Sequence, residues 1–280
     1  MWNLIADSSC DLFDFEDKEN EISFKTIPFK ISFPEEELVD DEKLDIGHVV
    51  DLIDSSKEAG KTACPSPGEW LRYFEEQGHA LAFTISQNLS GSYNAAVAGK
   101  HMLEEKLAEK KVEIIDSWGT GPTTIIIIHK VMEWIKAGYD FDKIVEMAKD
   151  QAKHTHTVFA LCSYNNLIKN GRVAPIVGFF AKTLKLWGVG TDDGEGRIKL
   201  KNSARGNAKV ISSIIADIRE RRNRQDNEIV ISHVDNLDLA TQLKNSLIKE
   251  FGIAPERVSI YKTRGLDCFY AERHGIIVGF

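Results

Sequence analysis

Short apolar runs that end in hydroxyl- or acid-rich turns and pass straight into helical patterns recur along this chain. Trp2 to Ala6 ends in Asp7-Ser8-Ser9-Cys10-Asp11. Ala80 to Ile85 leads through Ser86 to Leu89-Ser90-Gly91-Ser92-Tyr93 and into the helical pattern Asn94 to Leu107. Val112 to Ile115 ends in Asp116-Ser117 and is followed by the mostly apolar helical stretch Thr120 to Ala137. Apolar runs this short, bounded by turn residues, read as strands covered on both faces. Strands alternating with helices predict an α/β fold with mostly parallel sheets.

The remaining segments fit that scheme. Ile22 to Phe33 alternates around Pro28 as an edge strand or hairpin would. Leu44 to Ala59 and Phe141 to Ala152 have helical spacing, and residues 60–67 read as a loop with Pro67 opening the next helix. A boundary is expected near His154 to Thr157, dividing an N-terminal α/β domain (1–156) from a C-terminal one (157–280). The second half is read as a strand (Val158 to Cys162), a polar helix start at Asn165 and Asn166, and an apolar helix reaching Leu184. A hairpin around Asp192-Asp193-Gly194 follows, with helices at Ala208 to Arg221 and Leu237 to Phe251 flanking strand Ile229 to His233. Val258 to Tyr261 and Ile276 to Phe280 close the chain as strands.

Composition narrows the function classes. A net charge of −8 argues against a nucleic-acid partner, and the basic run Arg219 to Arg224 reads as a solvated helix end followed by Asp226 and Glu228. Ile125 to Ile128 is too short to span a bilayer, and Trp2 to Ala6 meets Asp7 before any signal sequence develops. Cys10, Cys64, Cys162 and Cys268 lack paired spacing, so neither zinc nor a disulfide framework is expected, and a cytoplasmic location is the default. No cofactor or metal is expected.

In α/β sheets ligands gather beyond the carboxyl ends of strands. The polar turns Asp7 to Asp11, Thr62 to Ser66, Ser86 to Ser92 and Asp116-Ser117 would share that edge. Each alone is an ordinary helix cap; their recurrence points to a pocket. A loop with hydroxyls and a glycine at a helix start suits an anion, and without a lysine it suits a carboxylate or single phosphate rather than a triphosphate. Asp7 has Ser9, not a second Asp, two residues on, and Ser90 has no evident His-Asp partner. The pattern favours holding a ligand over attacking it. A hydrolase or phosphotransferase acting through Asp7 or Ser90 is the alternative.

Taken in order, several segments resemble the DegV family of bacterial lipid-binding proteins. They are Asp7-Ser8-Ser9-Cys10-Asp11-Leu12, Ile27-Pro28-Phe29, Thr62-Ala63-Cys64-Pro65-Ser66-Pro67, Leu89-Ser90-Gly91-Ser92-Tyr93-Asn94-Ala95 and Ile115-Asp116-Ser117. They continue through Leu167 to Val173, Ala204-Arg205-Gly206 and Gly275 to Phe280. The resemblance implies two α/β domains enclosing a long-chain fatty acid, with the ligand at their junction and no catalysis by the chain itself. It places the carboxylate at Thr62 and residues of Ser90-Gly91-Ser92, and matches Arg205 to an arginine near the pocket entrance and Arg172 to the one in a Gly-Arg turn; Ala63, Ser86 and Arg172 are expected among the ligand-binding residues as well. It further implies delivery of the acid to a separate fatty-acid kinase. Two departures stand out: Ala63 and Cys64 replace a hydroxyl and an amide, and Ala271 stands where the family has a head-group histidine, with His274 three residues on. Apolar material for a tunnel is available in Phe179, Phe180, Leu184, Leu186, Trp187, Ile125 to Ile128 and Phe269.

Overall fold

The computed structural model describes residues 1–56, 58–107, 109–173, 186–223 and 228–280. The predicted apolar helix to Leu184, with Phe179 and Phe180, lies outside these residues, as do Ala174, Pro175, Arg224 and Asp226.

The first half builds a five-stranded sheet and a small second one. Strands β1 (Trp2–Asp7), β2 (Phe15–Asp17) and β3 (Ile22–Ile27) are followed by β4 (Lys30–Ser32), β5 (Glu37–Val39), helix α1 (Ile46–Ser55) and β6 (Lys61–Ala63). Then come α2 (Pro67–Phe74), β7 (His79–Thr84), α3 (Ser92–Glu104), β8 (Val112–Asp116), α4 (Pro122–Lys136) and α5 (Phe141–Lys153). The large sheet runs β2-β3-β1-β7-β8, and all its pairings but β2–β3 are parallel. Leu4 and Ala6 face α4 and α5, while Ile5 faces Trp70 and Phe74 of α2 and Ala96 of α3. Burial on both faces explains why these strands read as unbroken apolar runs. Pro67 does open α2, behind a Ser66–Glu69 capping box.

Two sequence expectations fail here. The stretch Ile22 to Phe33 is neither an edge strand nor a hairpin: β3 lies inside the large sheet, parallel to β1, and β4 belongs to the three-stranded sheet β5-β4-β6. Pro28 sits between them, where a residue without an N–H ends the ladder. The supposed loop 60–67 contains β6, held by register Ile31 to Thr62.

The second half builds a six-stranded sheet from β9 (Thr157–Leu161), β10 (Leu186–Asp192), β11 (Ile198–Arg205), β12 (Ile229–His233), β13 (Val258–Lys262) and β14 (Ile276–Gly279). Helices α6 (Asn165–Lys169), α7 (Asn207–Arg221), α8 (Leu237–Phe251) and α9 (Gly265–Ala271) connect them. The order is β11-β10-β9-β14-β12-β13. The α/β class is as expected, and most of the parallel pairing lies in the first sheet. Here only β12–β13 is parallel, because β10–β11 is a hairpin and β14 returns antiparallel between β9 and β12.

Helix α4 lies between the two large sheets. Ile127 and Ile128 pack with Leu81 and Phe83, whereas Ile125 and Ile126 pack with Val230 of β12. Covered on both sides there, the first half of α4 carries no polar face, which accounts for four consecutive isoleucines, while Glu133 and Lys136 of its second half are exposed.

Candidate functional site

A mainly apolar cavity lies where β9, β14, α6 and α9 meet the loops after β6 and β7, and it contains about 660 Å³ of atom-free space counted to its opening. Phe159, Leu161, Leu167, Ile198, Leu266 and Ile277 form most of its wall. An apolar lining with a few polar groups suits a small organic ligand. Of the residues expected to supply a tunnel, Ile125 to Ile128, Trp187 and Phe269 are buried in packed clusters away from the cavity wall.

Polar groups gather at one side of the wall. Thr62, in β6, and Tyr270, in the last turn of α9, share a hydrogen bond of 2.8 Å between their hydroxyls. Arg172 lies across from them, its guanidinium 5.9 Å from the centre of the Tyr270 ring. Its Nε donates to the Leu89 carbonyl (3.1 Å), and its Nη1 donates to the Asn170 carbonyl. Leu89, Ser90, Arg172 and Ile198 line both the cavity and a surface depression that also includes Asn88, Gly91 and Arg197. The Arg172–Leu89 contact therefore stands between the interior and the outside. Asn166 fixes α6 to α9 by accepting nothing from it: its Nδ2 donates to the Phe269 carbonyl (2.8 Å), and its N–H donates to Glu272 (3.0 Å).

The loop that opens α3 is held from below. Ser92 Oγ donates to Asp7 Oδ2 (2.6 Å), which also accepts from the Ile85 N–H (3.1 Å), while Ser9 Oγ donates to Asp7 Oδ1 (2.5 Å). Burial pushes the Asp7 carboxyl above its ordinary range, against these hydrogen bonds. Ser90 Oγ accepts from the Ser92 N–H at 3.3 Å, and Asn88 Nδ2 donates to the Glu195 carbonyl of the β10–β11 hairpin (2.6 Å).

Beneath the cavity sits a buried acid cluster. Asp267 lines the cavity and accepts from Thr120 Oγ1 (2.6 Å), and a carbon added at Gly121 would meet both its Oδ2 and that of Asp11, so the two carboxyls lie side by side. Burial raises both: Asp11 to about 7, and Asp267 well above the usual carboxylate range with the Asp11 charge adding to the effect. Asp40 accepts from the Gly265 and Leu266 N–H groups at 2.7 and 2.9 Å and from Ser8 Oγ at 2.8 Å. Burial raises it too, opposed by the nearby Arg264 guanidinium. Arg264 itself donates to the carbonyls of Leu12 and Asp40, tying the start of α9 to the first half of the chain.

Of the residues expected at the site, Thr62, Ser90 and Arg172 line the cavity, and Gly91 reaches the depression outside it. Ser92 is fully buried and committed to Asp7; Ser86 is buried, and a side chain at Gly196 would collide with it. Ala63 is exposed on the face of β6 opposite Thr62, and Arg205 is exposed at the end of β11; neither lines the cavity. Asp7, the nucleophile of the enzymatic alternative, is buried and occupied by its hydrogen bonds. Sequence reasoning missed Tyr270, whose hydroxyl stands one residue before the Ala271 that took the histidine's place. Ala271 lines the cavity as well.

The chain matches the family described as "Uncharacterised protein, DegV family" over residues 1–265. A DegV domain-containing protein of Streptococcus pneumoniae is 30% identical over all of this chain and 98% of its own length. A DegV family protein from Eubacterium eligens, solved loaded with heptadecanoic acid, superposes with a TM-score of 0.93 at 32% identity, covering 100% of this chain and 99% of that one. The Streptococcus pneumoniae Fatty Acid Kinase (Fak) B3 protein, solved loaded with linoleic acid, gives a TM-score of 0.93 at 30% identity, covering 100% and 98%. A match across the fold and nearly the whole length has one meaning: this chain belongs to the DegV family.

Proposed function

We propose that this protein binds a long-chain fatty acid, with the hydrocarbon in the apolar cavity and the carboxylate at Thr62, Tyr270, Ser90 and Arg172, and presents that carboxylate to a fatty-acid kinase. The observation that carries the reading is the Thr62–Tyr270 hydroxyl pair at the edge of an otherwise apolar wall. When one hydroxyl donates to the other, the second keeps its own proton to donate outward, polarised by the first. Such a donor beside a guanidinium meets the need of an ionised carboxylate leaving water. Each buried methylene adds roughly 0.8 kcal/mol, so about fifteen offer on the order of 12 kcal/mol before ordering costs.

The kinase step is supported by similarity to a protein named as part of fatty acid kinase, and by the depression at Ser90, Gly91 and Arg172, which leaves the head-group side facing outward. The chain's role in that step is to hold and orient the acid. The occupied state of Asp7 weighs against the hydrolase or phosphotransferase reading. No helix among the described residues is long and apolar enough to cross a membrane.

Denaturing extraction of the purified protein followed by mass spectrometry tests binding. Stoichiometric long-chain fatty acid is expected, and its absence even after lipid feeding would overturn the proposal. Incubating loaded protein with a fatty-acid kinase subunit and ATP tests presentation, with acyl phosphate trapped as its hydroxamate.

A further inference from the structure

We infer that the cavity holds a second polar subsite, formed by Thr157, Thr120 and Asp267, which receives a hydroxyl group carried on the hydrocarbon chain of the bound acid. This rests on reading the cavity as a fatty-acid site. Thr157 is 4% exposed and lines the cavity, and its Oγ1 has no hydrogen-bond partner. The hydroxyls of Thr62 and Tyr270, by contrast, have each other as partners, with one proton left to donate. A buried hydroxyl without a partner is a cost that a valine of the same shape would not carry, so a ligand atom is the economical partner. Gly119 keeps room around it, since a side chain there would press on both Thr157 Oγ1 and Thr123 Oγ1.

The chemistry of the neighbours selects the ligand group. Thr120 Oγ1 gives its proton to Asp267 Oδ1 and retains acceptor capacity, and Asp267 Oδ2 has no hydrogen-bond partner. Thr157 brings a free donor. A group that both donates and accepts completes this set, which describes a hydroxyl and not a methylene. Thr157, Phe159 and Leu161 alternate along β9 and all line the cavity. At a strand rise of about 3.3 Å per residue, Thr157 lies about 13 Å from Leu161, and Leu161 packs with Leu167 and Val173 beside Arg172. The subsite thus reads how far along the chain the hydroxyl lies from the carboxylate.

Titrating delipidated protein with a saturated acid, and with acids of the same length bearing one hydroxyl at successive carbons, tests the inference. One position is expected to bind about tenfold more tightly than the unsubstituted acid, equivalent to about 1.4 kcal/mol. In Thr157→Val the ratio of the two affinities is expected to fall to near one. The wild-type profile decides the matter even if that variant does not fold. A flat profile with the unsubstituted acid still bound overturns the subsite and leaves the fatty-acid reading standing. A preference that survives Thr157→Val overturns the assignment of residues, and failure of every acid to bind overturns both.

Discussion

Replacing Asp267 by Asn keeps the shape of the buried pair and removes one of its two titrating carboxyls. In the folded protein Asp11 holds its proton to about 7 and Asp267 keeps its own well above the usual carboxylate range, whereas in an unfolded chain each releases it near 3.8. The folded state therefore binds more protons than the unfolded one across this range. Stability is fullest below about pH 4 and falls as pH rises, until each folded carboxyl has ionised. Each retained proton costs about 1.4 kcal/mol per pH unit. Asp267→Asn should remove one such contribution and let the Asn amide donate to Asp11. Its advantage over wild type should grow by about 1.4 kcal/mol per unit across the range in which Asp267 keeps its proton in the fold and has lost it in the unfolded chain. Asp7 and Asp40, also raised by burial, are present in both proteins and cancel. Asp192 acts in the opposite direction: although burial opposes it, His156 and Arg221 hold it low, so its contribution is lost only below about pH 4. Urea unfolding of the ligand-free proteins at several pH values, followed by tryptophan fluorescence, measures the difference. Parallel stability curves would refute the account of a buried, proton-retaining Asp267.

Three further outcomes follow from the same geometry. Tyr270→Phe and Thr62→Val should each weaken fatty-acid binding by about tenfold in a titration, the worth of a hydrogen bond to a charged group, and unchanged affinity in both would remove the pair from the head-group site. Ala271→Leu should fill part of the cavity and shift the extracted acids toward shorter chains, read by mass spectrometry. Gly121→Ala should destabilise the fold by more than about 2 kcal/mol, because Gly121 has φ +41° and an added carbon would collide with Asp267 and Asp11; thermal unfolding reports it.

The sequence was most legible where burial is simple. The strand Ile229 to His233 and the helix Leu237 to Phe251 coincide with β12 and α8, since one is covered on both faces and the other on one. It was least legible where chain segments from distant positions complete one another. The strand β6 is too short to show a period and exists through its register with β4. Helix α9, of seven residues, was not foreseen, and it owes its start to Asp40, far away in sequence. Tyr270 was hidden with it. Ser92 and Ser90 look equivalent in the sequence; only the return of the chain shows one tied to Asp7 and the other at the cavity wall.

The isoleucines of α4 bear on how a lipid could come and go. Because Ile125 and Ile126 lean on β12 while Ile127 and Ile128 lean on β7, one helix serves as common lining for both halves. Parting the sheets would wet those side chains at roughly 1.5–3 kcal/mol apiece, multiplied across the residues around them. A fatty acid bound as proposed would therefore exchange with the sheets clasped, by local yielding at the Arg172–Leu89 contact, slowly compared with side-chain motion yet without global opening.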